Sequence, residues 1–257
     1  MITSISNPQV KHLVQLQKKS KLRNEENVFI VEGTRMFCEV PRNKIQKVYI
    51  SESLFNRKKP ELDFTGLEYE IVTDNVFAYI SDTKTPQGIL CVLEQSQYTI
   101  ETIVNGLEVN LLVLDNLQDP GNVGTIFRTA EGAGVTGIVM SKDCVDIYNP
   151  KTIRSTMGSV YRMPFIYVED LSAFMDTLKQ HSIHTFAAHL EGTHYYDEAD
   201  YAGKIAFLIG NEGNGLRDEL AQKADTWVRI PMCGEVESLN AAIATAILVY
   251  EACRQRR

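Results

Sequence analysis

From residue 111 onward, short apolar β-rich stretches alternate with amphipathic stretches long enough for helices, and this alternation constrains the fold more than any other feature of the chain. Residues 111–114, 137–140, 165–168, 184–188, 205–209 and 226–230 read as strands, and 121–133, 152–158, 171–180, 216–223 and 239–252 read as helices. Strands that are apolar along their whole length must be buried on both faces. The pattern therefore predicts an α/β fold: a mainly parallel sheet with helices on both faces. In such a sheet, ligands sit beyond the carboxyl ends of the strands.

The first part of the chain follows a different pattern. Asn7-Pro8 opens a stretch with Val10, Leu13, Val14 and Leu16 on one face, an amphipathic helix running into a lysine cluster. Strand candidates follow at 28–31, 47–50, 69–72 and 88–93, which makes a small α/β unit. The polar stretch 94–110, with Gln95-Ser96-Gln97 and Asn105-Gly106 as breakers, separates the two patterns. The expected organisation is thus a small domain over 1–95, a linker over 96–110 and a larger domain over 111–257, and a chain of 257 residues has room for both.

Charge divides the chain in the same place. Its net charge is −7, yet residues 1–59 hold 12 Lys+Arg against 5 Asp+Glu, or +7, leaving 14 against 28, or −14, in the remainder. Lys11, Lys18, Lys19, Lys21, Arg23, Arg57, Lys58 and Lys59 are candidates for neutralising phosphates, though on composition alone a solvated helix face explains such a cluster equally well. The five cysteines (Cys38, Cys91, Cys144, Cys233 and Cys253) form no Cys-x-x-Cys pair, which argues against a disulfide framework and a thiolate metal site and favours a reducing cytoplasm. His181, His184, His189 and His194 have neither zinc-finger nor His-Glu-x-x-His spacing, so no metal is expected. The start of the chain lacks a signal-peptide apolar core and the longest apolar run, 241–249, is too short to span a bilayer, so no membrane association is expected.

Three segments combine glycine, small polar residues and charge just after a predicted strand. In the first, Asp119-Pro120-Gly121-Asn122-Val123-Gly124 leads into a helix bearing Arg128 and Glu131, which are three residues apart and within reach of each other; free N–H groups at such a helix start favour an anion. The second, Gly210-Asn211-Glu212-Gly213-Asn214-Gly215, closes a hydrophobic strand with backbone that a ligand can approach closely. It lacks the Gly-Lys-Ser/Thr of a phosphate loop, which argues against nucleotide hydrolysis. The third runs from Ile230 through Met232, Ser238, Leu239 and Asn240 into an alanine-rich helix for which Ser238 reads as the N-cap. Gly132-Ala133-Gly134-Val135-Thr136-Gly137 has dinucleotide-binding spacing but follows a helix and precedes a strand, the reverse of the required order.

Taken in order, these segments resemble the three motifs of the SpoU (TrmH-like) family of RNA 2′-O-ribose methyltransferases in the SPOUT superfamily. Arg154-Ser155-Thr156-Met157-Gly158-Ser159 is similar to the family's intervening segment, so the likeness covers 111–257. Val31-Glu32-Gly33 and Gln87-Gly88-Ile89 are similar, more loosely, to its substrate-binding domain. The resemblance implies a trefoil-knotted α/β domain preceded by a small RNA-binding domain, S-adenosylmethionine as cofactor, a homodimer and a cytoplasmic enzyme acting on RNA, with ribosomal RNA favoured over transfer RNA. It implies cofactor contacts at Gly210, Asn211, Ile230, Met232, Ser238 and Leu239. It implies catalytic roles for Arg128, Asn122, Glu131, Glu212, Ser238 and Asn240, with Arg128 orienting a phosphate and stabilising developing alkoxide charge while Glu131 orients Arg128. The competing readings are a transfer-RNA methyltransferase, a catalytically silent RNA-binding or assembly protein, a base methyltransferase and, more distantly, a dehydrogenase.

Overall fold

The computed structural model of the chain describes residues 1–57 and 62–257; Lys58 and Lys59 of the basic cluster lie outside the described residues. The chain forms two compact units, one of Met1–Ser96 with Asp146–Tyr161, the other of Gln97–Val145 with Arg162–Arg257. No helix among the described residues is long and apolar enough to cross a membrane.

The first unit contains a four-stranded mixed sheet. Strands β1 (Val28–Glu32), β2 (Ile45–Ser51), β3 (Tyr69–Val72) and β4 (Ile89–Glu94) stand in the order β1-β4-β2-β3, with only the β2–β3 pair parallel. Helix α1 (Pro8–Lys18) starts where Asn7-Pro8 predicts: the Asn7 side chain accepts from Gln9 N, and proline occupies the first turn, where its missing N–H costs nothing. Val10, Leu13 and Leu16 of α1 are buried with Val76, Phe77 and Ile80 of α5 (Asp74–Ile80) against β1, β2 and β4. Helices α2 (Ser20–Glu26), α3 (Thr34–Glu39) and α4 (Glu52–Asn56) complete the continuous part.

Helix α8 (Pro150–Thr156) belongs to this unit too, although its sequence lies within the stretch read as the second domain. Arg23, almost fully buried, holds it: the guanidinium donates to Leu16 O and Gln17 O on one side and pairs with Asp146 on the other. Arg23 therefore serves packing and not phosphate binding. Tyr148 adds a ring contact with Phe29.

In the second unit, strands β5 (Asn110–Leu114), β6 (Gly137–Ser141), β7 (Phe165–Val168), β8 (His184–Ala188), β9 (His194–Tyr195), β10 (Ile205–Ile209) and β11 (Thr226–Arg229) form one sheet in the order β7-β6-β5-β10-β8-β11-β9, every neighbouring pair parallel. Leu111, Val113, Val139, Ala206 and Leu208 pack with α6 (Ile100–Val104), α9 (Leu171–Gln180) and α10 (Asp218–Lys223). The intervening Leu112, Leu114, Ile138, Met140 and Phe207 are equally buried and by the period of two face the opposite side, where α7 (Pro120–Gly132) packs on α11 (Ala241–Gln255). The stretch 96–110, read as a linker, holds α6, whose Ile103 and Val104 are part of this core. Five helical residues offer too short a pattern to register against the surrounding polar residues.

Candidate active site

The strand order reverses at β5 and β10, adjacent parallel strands whose last residues, Leu114 and Ile209, lie side by side. A switch of this kind splays the two following loops apart and opens a crevice at the carboxyl ends. The first loop, 115–119, is fixed from β6 and the turn after it: Asn116 N donates to Ser141 Oγ at 2.9 Å and Leu117 N to Cys144 Sγ at 3.3 Å. The second loop, 210–217, folds back on itself through Asn211, whose Oδ1 accepts from Gly213 N and Asn214 N at 2.9 and 3.1 Å while its Nδ2 donates to Asn116 O at 2.6 Å. Gly210 permits the fold-back, since a Cβ there would lie 2.0 Å from Leu216 N and 2.2 Å from Gly215 C.

The two loops are tied together at their base by an ion pair absent from the sequence reading. Asp115, fully buried, takes Arg217 Nε at 2.9 and 3.0 Å and Nη2 at 2.6 Å, a fork that orients as well as attracts. Neither residue carries a local signal. Their partnership spans 102 positions and becomes visible only once β5 and β10 are neighbours.

Above this base, Glu212 is the hub. Its carboxylate accepts from Gln118 N at 3.3 Å, Asp119 N at 3.2 Å and Asn122 Nδ2 at 3.1 Å. Burial pushes this carboxyl up, but the Asn122 amide and the backbone N–H groups outweigh it and hold the group below the ordinary 4.5. Asn122 N is capped by Asp119 Oδ1 at 2.8 Å, and Asn122 Oδ1 accepts from Asn240 Nδ2 at 2.9 Å. Asn240, not Ser238, caps α11, its Oδ1 accepting from Ala242 N and Ile243 N at 2.9 and 3.4 Å. The helix starts two residues later than the serine implies, which leaves Ser238 exposed on the loop.

These groups line an open cavity of about 590 Å³ together with Pro120, Ser238, Leu239 and Ala241, and Gln118 and Asp119 are lining members not among the sequence candidates. Of the sequence candidates, Asn122, Glu212, Ser238, Leu239 and Asn240 are thus brought together. Gly210 and Asn211 shape the adjoining loop, and Ile230 and Met232 sit half-buried on the loop after β11 without lining the cavity. Arg128 stands exposed on α7 with no hydrogen-bond or ion-pair partner among the described residues. Glu131 does not orient it: its carboxylate pairs with Arg162, whose Nε and Nη2 reach its two oxygens, the latter at 3.2 Å. A second guanidinium, 31 residues away in sequence, presents the better fork to that carboxylate.

Residues 110–250 match the family described as SpoU rRNA Methylase, and residues 7–91 match the MRM3-like substrate binding domain. The chain belongs to the SpoU rRNA methylase family. It is 32% identical over 251 residues, 97% of each chain, to a 23S rRNA (guanosine(2553)-2′-O)-methyltransferase of Bacillus subtilis, and 34% identical over 245 residues, 91% of this chain and 98% of the other, to a 23S rRNA (guanosine-2′-O-)-methyltransferase of Xanthomonas campestris. A solved structure of an AdoMet-bound rRNA methyltransferase from Sinorhizobium meliloti superposes with a TM-score of 0.84 at 32% identity, covering 98% of this chain and 97% of that one. An RNA 2′-O ribose methyltransferase structure superposes with a TM-score of 0.85 at 30% identity, covering 99% and 98%. The SpoU match spans β5 through most of α11, and so contains all three loops of the cavity.

Proposed function

We propose that the chain transfers a methyl group from S-adenosylmethionine to a ribose 2′-hydroxyl of ribosomal RNA. The observation that carries this reading is the cavity at the β5–β10 switch, where three loops far apart in sequence are joined by the hydrogen-bonded set Asn122, Glu212 and Asn240. Its volume suits a small cofactor, which generally occupies about 300–1,000 Å³. Pro120 and Leu239 offer apolar surface, and the ionised Glu212 offers a field that favours a sulfonium cation. Ser238 and Leu239, which line the cavity, are assigned to holding it, with Gly210 and Asn211 shaping the adjoining loop and Ile230 and Met232 on the loop after β11 beside it. When bound, S-adenosylmethionine supplies an activated methyl group.

What remains for the protein is alignment and charge. Asn122, held by Glu212 and Asn240 from two sides, positions the incoming ribose without needing to reorganise. Arg128, exposed and unpartnered among the described residues, is available to an RNA phosphate. A guanidinium stays protonated, so its part is to fix that phosphate and stabilise developing negative charge on the 2′-oxygen.

The reading extends to a homodimer, supported by the exposed apolar Ile243 and Tyr250, seven residues apart and so on one face of α11. It also extends to a trefoil knot through the loops around β10 and β11, and to a cytoplasmic location, where ribosomal RNA is found. The test is incubation of the full chain with unmodified 23S rRNA transcript and methyl-labelled S-adenosylmethionine, followed by digestion to nucleosides. Label in a 2′-O-methylnucleoside is expected, and Arg128→Ala is expected to cut transfer by about 10²–10³-fold while leaving cofactor affinity by calorimetry unchanged. Label in a base, label only with transfer RNA, or no cofactor binding would each overturn the reading.

A further inference from the structure

Glu131 is the only acidic residue of α7, and it stands in the last turn of that helix. A carboxylate there faces the negative end of the helix dipole, so a cation nearby is drawn to it. Two guanidiniums are in range. Arg128 lies three residues earlier on the same helix, a spacing that puts Cβ atoms about 5–6 Å apart. Arg162 comes from the turn before β7, which is held against α7: Met163 is buried, and the Phe165 ring packs edge-on against Phe127 with centroids 5.6 Å apart.

Arg162 takes the carboxylate. Its Nε and Nη2 reach the two oxygens of Glu131, the latter at 3.2 Å. A planar fork on a carboxylate makes two charge-assisted bonds at little cost in side-chain freedom, whereas an exposed pair three apart along a helix contributes little. Remove the fork, and the negative charge of Glu131 acts one helical turn from Arg128, inside the screening length of about 8 Å. It would then either bond that guanidinium or repel a phosphate brought to it. The three-residue spacing alone suggests that Glu131 assists Arg128; the observed pairing makes Glu131 a competitor for Arg128 that Arg162 masks.

Resting on the reading of Arg128 as the group that fixes an RNA phosphate, we infer that Arg162 is a positioning residue for methyl transfer, occupying Glu131 so that Arg128 stays available to the RNA. Arg162 touches neither substrate nor cofactor in this role and acts only through the carboxylate it covers.

The experiment is a mutant cycle in the full chain, with kcat/KM for unmodified 23S rRNA transcript, cofactor affinity by calorimetry and melting temperature read for each variant. Because the Arg162 and Glu131 side chains are 46% and 30% exposed, water screens the pair, and Arg162→Ala is expected to lower kcat/KM by only about fivefold, with cofactor affinity unchanged. Arg162→Lys, which keeps a cation but not the fork, is expected to lose about twofold. Glu131→Gln removes the competing charge, so adding Arg162→Ala to it is expected to change kcat/KM less than twofold. Adding Arg162→Ala to Arg128→Ala is likewise expected to change it less than twofold, since no guanidinium is left to protect. A bridge that merely holds α7 to the turn before β7 would lower the melting temperature of Arg162→Ala and leave kcat/KM within twofold of the parent, and that result overturns the inference. A fivefold loss that persists in the Glu131→Gln or the Arg128→Ala background overturns it too. Parent turnover in Arg128→Ala, or no transfer by the parent, overturns the reading beneath it and the inference together, whereas an inactive Arg128→Ala beside a parent-like Arg162→Ala overturns the inference alone.

Discussion

The two units handle their polar groups in opposite ways. In the second unit the cavity side chains are spent on one another: Glu212 accepts from four donors, Asn122 lies between Glu212 and Asn240, and Asp115 is forked by Arg217. In the first, Lys11, Lys18 and Lys19 project from α1 and its end with no ion-pair partner among the described residues. Charge follows the same division: the first unit holds 15 Lys+Arg against 13 Asp+Glu, or +2, and the second 11 against 20, or −9. A site that aligns reacting atoms must be organised before its ligand arrives, whereas a surface that collects a polyanion works through cations that stay free until it does.

The sharpest way to break this contrast is to disorganise the second unit while leaving the first alone. In Gly210→Ala the new methyl group would meet backbone at 2.0 Å, so the 210–217 loop must shift and carry Glu212 with it. Turnover is expected to fall about 100-fold or more with RNA binding unchanged, as read by methyl incorporation and filter binding. A smaller, opposite effect is expected from Lys11→Ala with Lys18→Ala: cofactor affinity is untouched, and the salt dependence of RNA binding loses about two units of slope. If the slope stays put, these lysines are only a solvated face.

The smallest effect concerns pH. Because the Glu212 carboxyl lies below its ordinary value of 4.5, its charged form contributes fully at neutral pH, and that contribution is lost only as pH falls through the lowered value. Cofactor affinity is thus expected to hold from pH 7 to about 4.5 and decline below, whereas Glu212→Gln starts about threefold weaker and lacks that decline. Calorimetry across the range distinguishes the two curves.

Much of the second unit was legible because its strands are apolar throughout and its helices amphipathic, so local period alone separates them. The cavity was partly legible for the same reason, since Asn122, Glu212 and Asn240 each stand just past a strand or at a helix start. What local patterns did not carry are partnerships between segments distant in sequence. Asp115 with Arg217 depends on β5 and β10 becoming neighbours, whereas Glu131 with Arg162, and Arg23 with Asp146, 123 residues apart, depend on which helices and loops pack together. Helix α6 and the two-residue strand β9 were too short to show a period. Arg23 shows how composition misleads: counted among the phosphate-binding cations, it is the one member of that cluster in the described residues that is buried.

The pairing of β10 with β5 has a consequence for how the molecule is made. Asn110 and Ile205 begin adjacent strands but emerge from the ribosome 95 residues apart, and with every neighbouring pair in the sheet parallel no hairpin offers a shortcut. Closing so large a loop is slow, and until it closes the apolar flank of β5 lies open. During synthesis the second unit therefore passes through an interval in which it is sticky and has no crevice, and both conditions end with the same event.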